Sequence, residues 1–207
     1  MTAADARCDR QESPLMDLQQ AIRSRRAVRA FTPEPVDRAV LLRLIDAAIQ
    51  APSAVNEQPW SFTVIQDPAV LTRISAESKA HLLSTPPRAV SAHGVSLERY
   101  AQLLRDPQFN IFYHAPALIV ISSVTADQWA VENCTLAAEN LMLAACAEGL
   151  GSCWIGFAQS WLGTAAGKAV LGVPPAYLPV APIIVGHPQA VPPAVPRKPP
   201  EIRWIGG

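Results

Sequence analysis

Residues 51–60, APSAVNEQPW, combine a stiff backbone with uncharged polar side chains. Pro52 and Pro59 fix the backbone φ near about −65° and lack an N–H group. Between them lie hydroxyl and amide groups that can donate and accept hydrogen bonds, on Ser53, Asn56 and Gln58. Such a loop suits a flat, polar heteroaromatic ligand, although on its own it is also typical of an ordinary turn between a helix and a strand.

Positive charges are concentrated in two short segments. The segment from Arg23 to Arg29 holds four arginines, and Arg197 and Lys198 are neighbours in a proline-rich stretch. Guanidinium groups form bidentate hydrogen bonds with phosphate. A phosphomonoester could therefore lie between the two clusters, although each cluster taken singly is also typical of a solvated surface.

A third segment, 149–157 or GLGSCWIGF, reads as a helix end turning into a strand. Glycine allows a ligand to approach the backbone closely, so that backbone N–H groups can donate to it. The segment does not match the dinucleotide fingerprint, and the chain has neither the serine-hydrolase elbow nor the zinc-protease motif. Its cysteines and histidines lack zinc-type spacing, so no metal site is predicted. The four histidines are scattered, which favours surface or capping roles over catalysis.

The periodicity of apolar residues predicts the elements that position these segments. A first helix should begin at Ser13-Pro14 and run through Ile22, and a second should begin near Asp37. Short apolar runs predict strands at 61–65, 117–123, 153–157 and 182–185. Helices alternate with these strands, which indicates an α+β or α/β protein around a small sheet.

Three longer stretches have distinct compositions. Residues 132–149 predict a helix that is apolar nearly all round, as expected at the centre of a fold or in a subunit interface. Residues 78–113 predict a mobile excursion with one short helix near 97–104. From Gly186 onward, prolines predict an extended arm whose apolar end, with Trp204 and Ile205, docks most simply across a partner subunit.

The whole chain has the size of one domain. Of its 207 residues, 50% are hydrophobic and only 16% are charged, which favours a large apolar interface and an obligate homodimer. Seventeen basic residues balance seventeen acidic ones, so neither a nucleic acid nor a membrane surface is expected as a partner. We expect a flexible segment at 1–13 and a single domain at 14–207.

The cysteines and the N-terminus indicate a cytoplasmic protein. Cys134 and Cys146 should share a helix and lie ~18 Å apart, outside disulfide range. The N-terminus has no apolar signal region, and no uncharged apolar run approaches the ~18 residues of a membrane span. Cys8 and Cys153 complete the set of cysteines, which we expect to be reduced.

Taken in order, six segments resemble the nitroreductase family of FMN-dependent oxidoreductases. They are SRRAVRAF (24–31), AAIQAPSAVNEQPWSF (47–62), FNIFYHAPALIVI (109–121), ENLMLAACAEGLGSCWIGF (139–157), VAPIIVGHP (180–188) and PRKPPE (196–201). The resemblance implies an α+β fold with a small mixed β-sheet, flanking helices and a central buried helix. It also implies an intertwined homodimer that holds two FMN molecules at its interface, with 186–207 embracing the partner.

The resemblance further implies roles for single residues. Arg25 and Arg26 match contacts to the FMN phosphate and ribityl chain, and Arg29 matches the basic residue near N1 and O2 of the flavin. Ala27 stands where the family usually has serine, so one hydroxyl for the phosphate is missing. The remaining implied contacts are Arg197 and Lys198 to the phosphate, Pro52, Ser53, Asn56 and Gln58 from the other subunit, Asn110 to the ring, and a backbone N–H of Ile155 or Gly156 toward N5.

The implied activity is hydride transfer from NAD(P)H to flavin N5, then to a nitroaromatic, quinone or related acceptor, with ping-pong kinetics. Within the same fold, a dehalogenase, a flavin-cleaving enzyme and a biosynthetic dehydrogenase remain alternatives. A non-catalytic FMN-binding protein is the alternative from another class.

Overall fold

The computed structural model describes residues 16–85 and 97–206. Within them the chain forms seven α-helices, four β-strands and a short 3-10 turn. The helices are α1 Leu18–Ser24, α2 Arg38–Ala48, α3 Pro68–Ser84, α4 Leu97–Arg105, α5 Ala130–Ala147, α6 Gly156–Leu162 and α7 Ala165–Leu171. The strands are β1 Trp60–Ile65, β2 Ala117–Ser123, β3 Gly151–Trp154 and β4 Leu178–Gly186, and the 3-10 turn is Ala54–Asn56.

The four strands form one sheet in the order β1-β2-β4-β3, and every neighbouring pair is antiparallel. We expected a mixed sheet. Within the described ranges, parallel pairing is confined to an isolated bridge between Ala27 and Ser152, beside β3. This bridge brings the arginine-rich segment to the edge of the sheet.

Both faces of the sheet are covered, as the alternation along β2 shows. Ile119 and Ile121 point into an apolar cluster with α2 and α5. Leu118 and Val120 point into a second cluster, with α3 and α6. Because successive strand residues face opposite sides, an uninterrupted apolar run is what a strand buried on both faces requires.

Helix α5 is the predicted central helix, and it packs on α2 and on the sheet. Its inner face, which includes Ala137 and Leu141, is fully buried. Its outer face is open and mixed in character: Val131 is 50% exposed and Leu136 is 47% exposed, and Glu132, Thr135 and Glu139 are exposed beside them. The expectation of a helix at the centre of the fold is confirmed for the inner face, while the outer face of α5 is open in the single chain.

Two element boundaries differ from the predictions. Helix α1 begins at Leu18, with the Asp17 side chain accepting the Gln20 N–H as its N-cap, and Ser13-Pro14 lies outside the described residues. Strand β3 ends at Trp154 rather than at residue 157, because the chain turns into α6 at Gly156. Phe157 consequently lies in the first turn of a helix.

Strand β4 is longer than the run predicted at 182–185. It starts at Leu178 and lies between β2 and β3, although proline cannot donate to a sheet. The pairing with β2 shifts between Ile121 and Ser122, so that Ser122 lies opposite Pro179. This irregularity accommodates a proline that the sequence pattern treats as the end of a strand.

The predicted excursion at 78–113 is largely a structured part of the fold. Helix α3 runs through to Ser84, and Ile111 and Phe112 are buried in the core. The short helix expected near 97–104 is confirmed as α4, Leu97–Arg105. Residues 86–96 lie outside the described ranges.

The segment for which an extended arm is predicted begins where β4 ends, at Gly186. Phe31 bridges to Pro188, and residues 191–206 have no regular secondary structure. Ile202, Trp204 and Ile205 are 61%, 87% and 98% exposed in the single chain. The predicted segment 1–13, with Cys8, lies outside the described residues. No helix among those described is long and apolar enough to cross a membrane.

Candidate functional site

The arginine-rich segment is attached to the sheet where α1 ends. Arg25 is the C-cap of α1, and the N–H of Val28 donates to the carbonyl oxygen of Ser152 at 3.0 Å. Gly151 makes this close approach possible, since a Cβ at that position would lie 2.7 Å from the Val28 side chain. Glycine in β3 therefore decides how near the arginines come to the sheet.

Arg25 and Arg26 have different surroundings. The Nε atom of Arg25 lies 3.6 Å from Oε1 of Glu139 on α5. Arg26 donates from Nη1 to the carbonyl oxygens of Arg23, at 2.7 Å, and Arg25, at 2.9 Å. Its Nε is buried and has no hydrogen-bond partner among the described residues. A buried guanidinium N–H without an acceptor is costly, so this position fits an acceptor-rich ligand such as a phosphate.

Arg29 lies beside a tyrosine and a cysteine. Its Cζ is 5.9 Å from the ring centroid of Tyr113, within cation–π range. Burial raises the pKa of Tyr113 and the pKa of Cys153, while the charge of Arg29 opposes both shifts. Both groups are therefore neutral near pH 7, and Arg29 provides the positive charge.

A pocket with a volume of about 780 Å³ opens beside Arg29. One wall is aromatic: the rings of Tyr100 and Phe157 are stacked with centroids 5.7 Å apart, and Phe109 meets Phe157 edge-on at 5.8 Å. The pocket is lined by Arg29, Leu82, Tyr100, Tyr113, Cys153, Trp154, Ile155, Gly156, Phe157, Gln159, Ser160, Gly163, Leu178 and Pro179. Of these, Arg29 alone carries a permanent charge, so a planar ligand with an electron-rich edge is favoured.

The turn between β3 and α6 supplies a backbone donor to this pocket. The N–H of Ile155 donates to the carbonyl oxygen of Pro182 at 2.8 Å, so it is used within the fold. Gly156 begins α6, where the first N–H groups have no acceptor inside the helix. A Cβ at Gly156 would meet nothing within 4 Å. Of the two candidate donors, Gly156 is thus the accessible one.

The loop that includes Pro52 and Gln58 does not line this pocket. It contains the 3-10 turn and is closed on itself by side chains. Ser53 Oγ accepts the Gln58 N–H at 2.9 Å, and Asn56 Oδ1 accepts from Gln58 Nε2 at 2.9 Å. The tip residue Val55 is 97% exposed. Four of the predicted contacts therefore share one surface loop that does not line the pocket beside Arg29.

The remaining predicted residues lie in two places. Asn110 caps a turn, with Oδ1 accepting the Phe112 N–H at 2.8 Å. This turn orients Tyr113 toward Arg29. Arg197 and Lys198 are exposed in the segment after Gly186 and have no regular secondary structure. The structure brings Arg29, Ile155 and Gly156 together in the pocket, with Ala27 bridged to β3 next to it.

Sequence reasoning missed the aromatic wall. Phe157 lies in the segment 149–157 and Tyr113 in the segment 109–121, but the sequence pattern indicates no role for either side chain. Tyr100 lies on α4, a strongly amphipathic helix whose pattern could have indicated a packed face. Its contact with Phe157 joins residues far apart in the chain, which no local pattern reports.

The donor set fits a phosphorylated aromatic cofactor better than a metal. No cluster of three or more His, Cys, Asp or Glu side chains able to hold a metal ion occurs in the described part of the chain. Arg26 Nε, the Gly156 backbone and the Arg29 guanidinium are all donors. Fold and pocket together define an α+β protein with an arginine-edged, aromatic pocket beside its sheet.

Comparison with known proteins identifies the family. The model of the nitroreductase family matches residues 22–187, so the chain belongs to the nitroreductase family. The fold is shared with solved members: a nitroreductase with bound FMN from Bacteroides fragilis superposes with a TM-score of 0.78 at 23% identity, covering 92% of this chain and 99% of that one.

Curated relatives carry more than one function. The chain is 37% identical over 75 residues to an NADH dehydrogenase of Thermus thermophilus, covering 35% of this chain and 37% of that protein. It is 38% identical over 87 residues to 5,6-dimethylbenzimidazole synthase of Rhodobacter capsulatus, covering 42% and 40%. The matches thus span less than half the length of both relatives, whose activities differ.

Proposed function

We propose that this protein is an FMN-dependent oxidoreductase that takes hydride from NADH or NADPH and passes electrons to a nitroaromatic, quinone or related acceptor. The observation that carries this proposal is the pocket itself. It joins the Arg29 guanidinium, the Gly156 backbone and an aromatic wall. FMN, when bound, supplies the redox chemistry, and the chain supplies binding, orientation and charge.

The arginines divide the binding work between phosphate and ring. Arg25 and Arg26 would hold the phosphate. The buried Nε of Arg26 has no hydrogen-bond partner among the described residues and would donate to it. Arg197 and Lys198 would contact the phosphate from the C-terminal arm. Arg29 would offset the negative charge that reduction adds to the isoalloxazine ring. An interaction present only in the reduced state favours reduction, whereas a phosphate contact acts in both states.

The aromatic wall would select the acceptor. Tyr100, Phe157 and Tyr113 line the pocket with three aromatic rings, of which two carry a hydroxyl group. Burial raises the pKa of both tyrosines, so their hydroxyls stay protonated and can donate to an acceptor oxygen. Flat aromatic acceptors with polar oxygens, such as quinones and nitroaromatics, match this lining.

The working form would be a homodimer. The outer faces of α1 and α5 present Leu18, Ile22, Val131 and Leu136, whose exposed fractions are 65%, 51%, 50% and 47%. The loop at 52–58 does not line the pocket of its own chain, and in the dimer it would serve FMN held by the partner. Sedimentation of the purified protein tests this arrangement.

Initial-rate kinetics test the activity. Oxidation of NADH and of NADPH would be followed at several fixed concentrations of 1,4-benzoquinone and of 4-nitrobenzoate. A ping-pong enzyme gives parallel double-reciprocal lines, because the nicotinamide leaves before the acceptor binds. Bound FMN that neither nicotinamide reduces would instead identify a non-catalytic FMN-binding protein, and product analysis would separate reduction from dehalogenation or flavin cleavage.

A further inference from the structure

The loop at 52–58 has a strained backbone. Val55, Asn56 and Gln58 have φ values of 47°, 56° and 52°. Positive φ is tolerated by asparagine but is unfavourable for a β-branched residue such as valine. Such conformations persist only where the surroundings impose them. The Val55 side chain is almost fully exposed, so its own packing does not impose this one.

The hydrogen bonds within the loop fix its shape but not its position. Ser53 Oγ and Asn56 Oδ1 both accept from Gln58, as described above. Both bonds begin and end inside the loop. A contact from a rigid neighbouring element is needed to hold the loop in one place on the domain.

Asn133 provides this contact. Its Oδ1 accepts the backbone N–H of Ala54 at 3.0 Å. Asn133 lies on the inner side of α5, next to Cys134, and is only 3% exposed. The hydrogen bond therefore connects the first residue of the 3-10 turn to the central helix of the fold.

The amino group of the Asn133 side chain makes no corresponding hydrogen bond. Its Nδ2 is buried and has no hydrogen-bond partner among the described residues. Leaving a buried N–H₂ donor unpaired is unfavourable, so this polar side chain does not serve core packing. The contact that accounts for it is the acceptor bond to Ala54.

We propose that Asn133 is a positioning residue for the cofactor: it holds the loop at 52–58 in the strained conformation that presents Ser53, Asn56 and Gln58 to FMN. This inference rests on the proposed function, in which the loop contacts FMN. Asn133 itself would not touch the cofactor. It acts through Ala54, at the point where the chain enters the 3-10 turn.

Two variants of similar size separate the acceptor from the shape of the side chain. Asn133→Asp keeps an oxygen for the Ala54 N–H and replaces the unpaired amino group with a second oxygen, which makes the side chain a carboxylate. Asn133→Leu keeps the approximate volume and loses the acceptor. For each, FMN dissociation constants and the hydrogen exchange of the amides at 54–58 would be compared with those of the protein as purified, alongside thermal unfolding.

We expect Asn133→Leu to weaken FMN binding by about tenfold, as for one lost hydrogen bond to an ordered loop. Amides at 54–58 should exchange about tenfold faster, while amides of β2 and β4 keep their protection. Asn133→Asp should restore both quantities to near the wild-type values. A role in packing alone would not produce this recovery with the polar variant.

Three outcomes would overturn the inference: unchanged loop exchange in Asn133→Leu, faster exchange with unchanged FMN affinity, or equal losses in both variants. Exchange is compared at equal FMN occupancy and can also be measured without FMN, so a wild-type chain that binds no FMN ends the proposed function separately. If Asn133→Leu does not fold, Ala54→Pro removes the same bond from the donor side. A proline is compatible with this position, because the preceding Ser53 is extended, with φ −136°, and a 3-10 turn follows. Wild-type FMN affinity in Ala54→Pro would overturn the inference.

Discussion

Arg29 and Arg25 lie four residues apart but have different neighbours. Arg29 faces the pocket beside Tyr113 and Cys153. Arg25 caps α1 and pairs with Glu139 on α5. Under the proposed function, one arginine acts on the flavin ring and the other on the phosphate, so their removal should have different consequences.

Arg29→Ala should lower the reduction potential of the bound flavin and slow its reduction by NAD(P)H. The loss of a partly buried, charge-assisted hydrogen bond costs ~2 kcal/mol, which for a two-electron couple is about 40 mV. Arg25→Ala should mainly weaken FMN binding, since phosphate is charged in both redox states. Potentiometry and FMN dissociation constants on both variants check this. Equal loss of affinity without a change in potential would contradict the assignment of Arg29.

Cys134 should make stability decrease at alkaline pH. It is fully buried, and burial raises its pKa to about 12 from 9.0. Below pH 9 the Cys134 thiol is protonated in both the folded and the unfolded chain. Above pH 9 the thiol ionises only in the unfolded chain, so the free energy of unfolding decreases as the pH rises toward 12. The advantage of the wild type over Cys134→Ala in urea should shrink by about 1.4 kcal/mol per pH unit in this window. If the stability difference between the wild type and Cys134→Ala is constant from about pH 8 to 10.5, folding does not raise the pKa of Cys134.

At the scale of elements, the sequence predicts what is periodic. Strand β2 has the predicted bounds because its apolar run is unbroken, and α2 begins near the predicted Asp37. Helix α3 was missed although Asp67 caps it and Pro68 occupies its first turn. Its buried stripe includes Ser75 and Ser78, which interrupt the apolar period. Helices whose buried face is partly polar escape this kind of prediction.

Only those residues of the candidate site that lie in a recognisable local sequence segment could be predicted. Arg29 and Gly156 lie in recognisable segments, and the structure brings both to one pocket. The partner of the Ile155 N–H depends on the position of β4, and the Tyr100–Phe157 stack depends on α4 packing near α6. Asn133 reads as an ordinary helix residue until the fold places Ala54 beside it. Contacts between distant segments require the fold.

The approach of the arginine segment to β3 predicts a second effect at this scale. Gly151→Ala would bring a Cβ to 2.7 Å from the Val28 side chain, which is buried and cannot move freely. We expect destabilisation of ~1–3 kcal/mol, as for overpacking, together with weaker FMN binding because Arg25 and Arg26 shift. Urea denaturation and an FMN titration measure both. A variant within 0.5 kcal/mol of the wild type would show that the approach is not tight.

The whole molecule presents more apolar surface than a monomer needs. In addition to the outer faces of α1 and α5, the arm exposes Val191 at 77% and Trp204 at 87%. Large exposed apolar areas mark interaction sites. In the proposed dimer, a second copy of this chain would cover these apolar residues, and the arm would cross the interface. Dimer formation and FMN binding would then depend on each other.

Deleting the arm from Pro192 should therefore weaken the dimer and FMN binding together. The deletion removes Arg197 and Lys198 as well as the exposed apolar residues Ile202, Trp204 and Ile205. Sedimentation and FMN fluorescence report the two effects. As a control, Arg197→Ala with Lys198→Ala keeps the apolar end and should affect FMN alone. Wild-type values for both quantities in the truncated chain would show that the arm has neither role.

The central claim is that this chain binds FMN and accepts electrons from a nicotinamide through it. The most direct measurement is the absorbance spectrum of the purified protein, reconstituted with FMN where necessary, during anaerobic titration with NADH and then NADPH. We predict a yellow protein with one FMN per chain that at least one nicotinamide bleaches and that added quinone restores. A colourless protein that does not retain FMN after reconstitution would contradict the account.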